Sequence, residues 1–224
     1  MKNIEPKTNQ ITIKGNYIYA IFSINNWTSD SIELYKIERT TGIAVKEYSI
    51  NASDYNGYRQ IPIELVQFNH PVTNNSLLYV QTNSYKNGVY GGSFYILDIT
   101  ADSLYWDLTP EIGKIDTIGK GNGYSPILIE NQHSLIINSQ VKGTFSINYK
   151  NKTKNWKHLG ENYSSTGKRM EYVDNNLFLF PNSFSSSIKV LNLSSGNTIN
   201  NLSGDFGYSN SIVVKQNNQL YFIG

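Results

Sequence analysis

One feature constrains this 224-residue chain more than any other: a short hairpin, made of an apolar strand, a polar turn and a second apolar strand, recurs five times. The first copy runs Ile11-Thr12-Ile13, Lys14-Gly15-Asn16, Tyr17-Ile18-Tyr19. The second joins Leu65-Val66-Gln67-Phe68 to Leu77-Leu78-Tyr79 through a longer turn that holds His70 and Pro71. The third joins Ile127-Leu128-Ile129 to Ser134-Leu135-Ile136, and the fourth joins Tyr172-Val173 to Leu177-Phe178-Leu179. The fifth joins Ile212-Val213-Val214 to Leu220-Tyr221-Phe222. After each of the first four a second two-stranded unit begins, at Glu33 to Gly42, Phe94 to Ile99, Phe145 to Tyr149 and Ile188 to Leu193. Aligned at Lys36, Asp98, Asn148 and Asn192, these units stand 62, 50 and 44 residues apart, the first interval lengthened by a loop from Asn51 to Pro62. Four strands in about 50 residues is the period of a blade, so the expectation is an all-β chain folded as a β-propeller.

The blades are expected at roughly 9–50, 61–112, 125–160 and 168–204, with a partial blade at 210–224, in a single domain over 1–224. That makes about four and a half blades. Three arrangements follow from it: a fragment of a larger propeller, which is preferred, a ring of four with an extra hairpin, or completion of the last blade by further chain. An unpaired edge at Leu220 to Ile223 is otherwise an aggregation liability. Seventeen Tyr and nine Phe beside 39% hydrophobic residues suit half-buried strands, and helices are expected to be scarce. The net charge of +2 carries no basic run, which argues against nucleic acid and anionic lipid. No apolar run reaches the roughly 18 residues of a membrane span. The absence of cysteine removes disulfides, thiolate metal sites and thiol nucleophiles without assigning a compartment, although an extracellular or cell-surface location is favoured over the cytoplasm.

Trp106 follows Asp98 by eight residues and Trp156 follows Asn148 by eight, so both are expected to open the outermost strand of a blade. This spacing resembles Kelch repeats, although the Gly91-Gly92 doublet falls in what reads as a loop rather than at the end of the second strand. The Thr41-Gly42 turn and the strand Ile43 to Tyr48 look more like the PQQ-type repeat, there without the Trp that docks neighbouring blades. The resemblance implies blade architecture and no particular activity. At both Trp positions the expected role is packing at a blade interface.

In a propeller the links between blades and the loops between second and third strands share one face, which is the default ligand site. Each link carries a tyrosine, giving Tyr58, Tyr124, Tyr163 and Tyr208 as a candidate ring. The loops add Asn25, Asn26 and Trp27, then Tyr85, Lys86, Asn87, Tyr90 and Gly91. Aromatic faces beside amides suit a sugar ring or a protein hot spot. His70, His133 and His158 lie in different repeats, without ligand spacing, and read as turn residues, so no metal site is expected. Gly119 to Gly123 lacks P-loop spacing. Asp98, Asp102 and Asp107 read as turn-solvating, and Glu64 and Glu171 are the only carboxylates near innermost strands. No catalytic residue and no cofactor is expected. The sequence therefore reads as a non-catalytic binding propeller, with a protein partner ahead of a glycan and a glycosidase-like or cofactor-dependent enzyme as a further alternative.

Overall fold

The computed structural model describes residues 3–5, 11–26, 29–51, 59–86, 89–108, 126–139, 143–158, 170–180, 187–203, 212–216 and 219–223. They fall in two compact units, Met1–Gly121 and Asn122–Gly224. The described elements are antiparallel strands and one 3-10 turn over Glu130–Gln132, and no described helix is long and apolar enough to cross a membrane.

The first unit holds two sheets. In one, β2 (Ile11–Lys14), β3 (Tyr17–Asn26), β4 (Ser29–Glu38) and β5 (Ala44–Asn51) pair in chain order. A further strand, β1 (Asn3–Glu5), pairs with Ser23 to Asn25 along the same edge of β3 that β2 uses. The other sheet orders β6 (Arg59–Asn69), β7 (Ser76–Lys86), β8 (Val89–Asp98) and β9 (Ser103–Asp107). Here β6 alone spans, through an irregularity between Pro62 and Glu64, what β1 and β2 together span on β3. Buried Tyr19, Ile21 and Leu34 of the first sheet pack with Leu78, Val80, Tyr95, Leu97 and Ile99 of the second. Each such side chain contributes about 1.5–3 kcal/mol when fully buried. Gln67 ties the two sheets, its Oε1 accepting from Thr12 Oγ1 at 2.8 Å and its Nε2 donating to Ser76 Oγ at 2.9 Å.

The second unit repeats the scheme with shorter strands. One sheet orders β10 (Ile127–Ile129), β11 (Ser134–Ser139), β12 (Gly143–Asn148) and β13 (Thr153–His158). The next orders β14 (Met170–Val173), β15 (Asn176–Leu179), β16 (Ile188–Asn192) and β17 (Thr198–Leu202). Buried Ile129, Ile136 and Trp156 pack with Met170, Leu177, Leu179, Leu191 and Leu193 between them. The opposite face of the latter sheet buries Phe178, Phe180, Ile188 and Val190. A two-stranded sheet of β18 (Ile212–Gln216) and β19 (Gln219–Ile223) follows, with β18 beside β14.

Two backbone features define the repeat. Each third–fourth strand pair carries one bulge, at Leu34/Tyr35, Ile96/Leu97, Ser146/Ile147 and Val190/Leu191, where an extra residue bends the outer strand. Each turn into the fourth strand has a left-handed residue, Gly42, Asp102, Lys152 or Gly196, four positions after Glu38, Asp98, Asn148 or Asn192. In three of these turns the earlier side chain caps the bend. Asp98 Oδ1 accepts from Thr100 N and Ala101 N at 3.0 and 2.9 Å, and Asn192 Oδ1 accepts from Ser194 N and Ser195 N at 3.0 Å each. Asn148 Oδ1 accepts from Asn151 N at 3.0 Å.

Several expectations are corrected by this geometry. The first repeat is in register at Glu38, not Lys36, which makes the intervals 60, 50 and 44 residues. Trp106 and Trp156 are the fourth residues of β9 and β13 and do not open them. Asn25, Asn26, Tyr85, Lys86, Tyr90 and Gly91 are strand residues, because the β3–β4 and β7–β8 hairpins pair out to Asn26↔Ser29 and Lys86↔Val89. The same pairing puts Gly91 and Gly92 in β8, opposite Ser84 and Asn83. His158 is likewise in β13 rather than in a turn.

Candidate functional site

The described residues form an open groove in the second unit, of about 470 Å³, at the ends of its sheets where the β10–β11 and β14–β15 turns lie. One wall is Leu128, Ile129 and the 3-10 turn Glu130-Asn131-Gln132. That turn is closed by His133, left-handed at φ 52°, whose N–H donates to Glu130 O at 3.0 Å. The other wall is Tyr172 and Asp174, with Asp174 left-handed at φ 55°. Tyr172 is exposed at 43%, on the same face of β14 as buried Met170 but two residues nearer the β14–β15 turn, beyond the edge of the core. Buried Ile129 and Leu193 complete the lining, and Leu193 O accepts from Trp156 Nε1 at 2.9 Å. The lining therefore carries two carboxylates, two amides and one exposed phenol ring. The charge on Glu130 extends beyond the groove: burial first, and Glu130 second, raise the pKa of the Tyr149 phenol.

Of the aromatic residues expected from sequence to form a ligand face, most lie outside the described residues. Trp27, Tyr58, Tyr124, Tyr163, Tyr208 and Asn87 lie outside them. Tyr85 and Tyr90 are directly opposite one another across β7 and β8, as backbone partners near the end of the hairpin. Glu64 and Glu171 do lie on first strands, β6 and β14. Asp98 is committed to its turn, its Oδ2 also accepting from Asn75 Nδ2 at 2.7 Å. His70 caps the β6–β7 turn by accepting from Val72 N and Thr73 N through Nδ1 at 3.3 and 3.1 Å. Among the described residues no group of three or more His, Asp or Glu converges on a metal-sized site. The groove escaped sequence reading because its residues are contributed by turns of two different repeats. The available signal was Tyr172, an aromatic in a strand position whose neighbours Met170 and Leu177 face the core.

No family model and no curated protein sequence matches the chain. Solved structures do match. Sqt1 of Saccharomyces cerevisiae superposes with a TM-score of 0.58 at 14% identity, over 97% of this chain and 52% of Sqt1. The chain folds as β-propeller blades. The computationally designed protein Ika8 superposes with a TM-score of 0.54 at 11% identity, over 95% of this chain and 54% of Ika8. The chain thus spans about half the length of either structure.

In blade terms, the joint between the third and fourth blades is Trp156 of β13 laid on Gly196 in the β16–β17 turn of the next blade. His158 Nδ1 lies 3.1 Å from Gly196 O in the same joint. The equivalent elements of the first two blades meet differently. Glu47, the extra residue at the β5 bulge, hydrogen-bonds Asp102 of the β8–β9 turn, and Lys36 Nζ stands 3.9 Å from Glu47 Oε1. A carboxyl–carboxyl hydrogen bond needs a proton on the pair. Burial, then the Asp102 hydrogen bond and charge, accordingly raise the pKa of Glu47 against the opposing pull of Lys36.

Proposed function

We propose that this chain is a non-catalytic protein-binding module built of Kelch-like or PQQ-like blades. The observation that carries the reading is the open groove at the third and fourth blades, where an exposed aromatic ring stands among polar groups on a rigid floor. Such a composition is that of a protein hot spot, in which one ring supplies contact area and flanking polar groups fix the orientation. The Trp156 and Gly196 joint supports the blade assignment, since it supplies in the third and fourth blades the docking Trp that the Thr41-Gly42 repeat lacks.

The test pairs partner capture with a glycan screen. The immobilised full chain is incubated with source-cell extract, and captured proteins are identified by cross-linking and titrated in purified form. A saturable one-to-one complex that Tyr172→Ala weakens is the expected result. A glycan that raises the melting temperature, with no protein complex found, replaces this reading with a lectin.

A further inference from the structure

We propose that the face of the first blade turned away from β6–β9 docks a second copy of this chain, head to tail, which supplies there what a preceding blade would. Strand register is the first ground. Counted back from Glu38, Asp98 and Asn192 in their equivalent turns, Ile18, Ala20, Tyr35 and Ile37 stand where Leu78, Val80, Tyr95 and Leu97 stand in the second blade. In the fourth blade the same register gives Leu177, Leu179 and Leu191. Ile11, opposite Ala20, corresponds likewise to Leu65, opposite Val80, and to Met170, opposite Leu179. In the second and fourth blades this row packs against the blade before it. The row in the first blade is therefore a docking face of the kind that receives a predecessor.

Burial is the second ground. Leu78, Leu97, Leu177 and Leu191 are buried, whereas Ile18, Tyr35 and Ile37 are half-buried and Ile11 is 55% exposed. Ile13, at the rim of the same face, is 59% exposed. β2 thus turns its apolar side chains outward, while its polar Thr12 faces the second blade and donates to Gln67. In β3, Tyr19 and Ile21 lie against the second blade, and Ile18, Ala20 and Phe22 alternate onto the other side. A strand apolar on both faces is one that is covered on both.

The polar groups of this face are already satisfied within it. Glu33, 5% exposed, accepts from Tyr35 Oη at 2.6 Å and pairs with Lys46 Nζ at 3.4 Å, and Phe22 lies edge-on to the Tyr35 ring. Covering the face therefore leaves this carboxylate paired, which removes the main cost of burying it. Length selects the occupant. One copy covers 52% of Sqt1 and 54% of Ika8, so two copies match the span of one such structure. A predecessor-receiving face is complementary to the other side of a blade and not to itself, which makes the contact heterologous.

The test is sedimentation velocity of the intact chain across micromolar concentrations, where a species of twice the 25.4 kDa monomer mass is expected to grow with concentration. Ile11→Lys with Ile13→Lys, both exposed in the single chain, is expected to weaken the dimer at least about tenfold with far-UV circular dichroism unchanged, while Ile11→Val with Ile13→Val keeps it. Isoleucine methyl spectra of the parent chain need no variant: on dilution the resonances of Ile11, Ile18 and Ile37 shift, and that of Ile136, buried between the third and fourth blades, stays. Ile13→Cys, in a chain otherwise free of cysteine, is expected to form no disulfide-linked dimer, and one that forms readily overturns the head-to-tail contact. A monomer at every concentration, dilution that moves none of these methyl groups, or a dimer that the lysine variant leaves intact overturns the proposal. A monomer whose capture of a different protein is lost in the lysine variant also overturns it and assigns the face to that protein. Each of these failures leaves the Tyr172 groove untouched, since that groove lies in the second unit and is read out by Tyr172→Ala.

Discussion

Gly42 and Gly196 share a backbone conformation, both at φ +71°, and the same place in the turn that follows a third strand. Their surroundings differ completely. A Cβ built on Gly42 meets nothing within 4 Å, whereas one on Gly196 lies 2.5 Å from Trp156 Cδ2 and 3.0 Å from Cγ and overlaps Cε3 as well. Gly42→Ala therefore carries only the cost of a left-handed alanine, about 1–2 kcal/mol. Gly196→Ala adds the overpacking of a rigid indole that the Leu193 carbonyl holds in place, a further 1–3 kcal/mol or so, for a total of about 2–5 kcal/mol. Trp156→Ala on its own is expected to cost about 3–5 kcal/mol, since it empties a buried site and strips Leu193 O of its donor. When Gly196→Ala and Trp156→Ala are combined, the methyl group added at position 196 enters the space the ring has left, so the overpacking vanishes and a coupling of about 1–3 kcal/mol appears. Urea unfolding followed by far-UV circular dichroism measures all four variants, without relying on the indole that two of them lack. Equal costs at Gly42 and Gly196, or strict additivity in the double variant, would falsify the account of this joint.

Three further outcomes are expected. Asp98→Ala loses the acceptor for two backbone N–H groups and for Asn75, at about 1–3 kcal/mol, whereas Asp98→Asn costs less, since its one amide oxygen still caps the turn as Asn148 and Asn192 do in later blades and only the acceptor for Asn75 is lost; chemical denaturation distinguishes them. Trp106 is only half-buried, so Trp106→Ala costs less than Trp156→Ala, about 2 kcal/mol, and equal costs by thermal melting contradict the burial difference. For Glu47, a carboxyl whose folded pKa is raised, the folded state holds a proton that the unfolded chain releases near its ordinary value of 4.5, so the first unit loses stability as pH rises through the carboxylate range up to the folded pKa. Glu47→Gln removes that loss; its melting temperature relative to the parent chain should rise between pH 4 and pH 7, and a constant difference across that window refutes the carboxyl pair.

The inner hairpins were legible because alternating apolar residues around Gly, Asn and Asp turns leave few other solutions, and β10–β11 and β14–β15 form where the pattern places them. What escaped was strand length. Asn25 and Asn26, and Tyr85 and Lys86, read as loop residues, yet they extend strands of ten and eleven residues because the ladder is satisfied by backbone groups, which side-chain polarity does not forbid. The short strand Asn3–Glu5 escaped for the same reason. The candidate groove was hidden because it joins two repeats through turns, and periodicity says nothing about which turns become neighbours.

The degeneracy of the repeat has a physical source in these turns. What recurs is a backbone shape, an outer-strand bulge and a left-handed residue four positions after the capping site, and that residue is Gly, Asp, Lys and Gly in successive blades. Where it is Gly196, the absent side chain leaves room for an indole, and the blades dock through Trp156 and a buried apolar cluster. Where it is Asp102, the outer strand of the preceding blade answers with Glu47 and Lys36 of its neighbouring strand instead. Each solution fills one joint, but the two share no side-chain chemistry, so a sequence profile built on either misses the other. A fold can thus persist in its backbone features while the side chains that fill its joints change completely. Recognition chemistry is then to be sought in what is particular to one joint, as with the Tyr172 groove beside the Trp156 dock, rather than in positions the blades repeat.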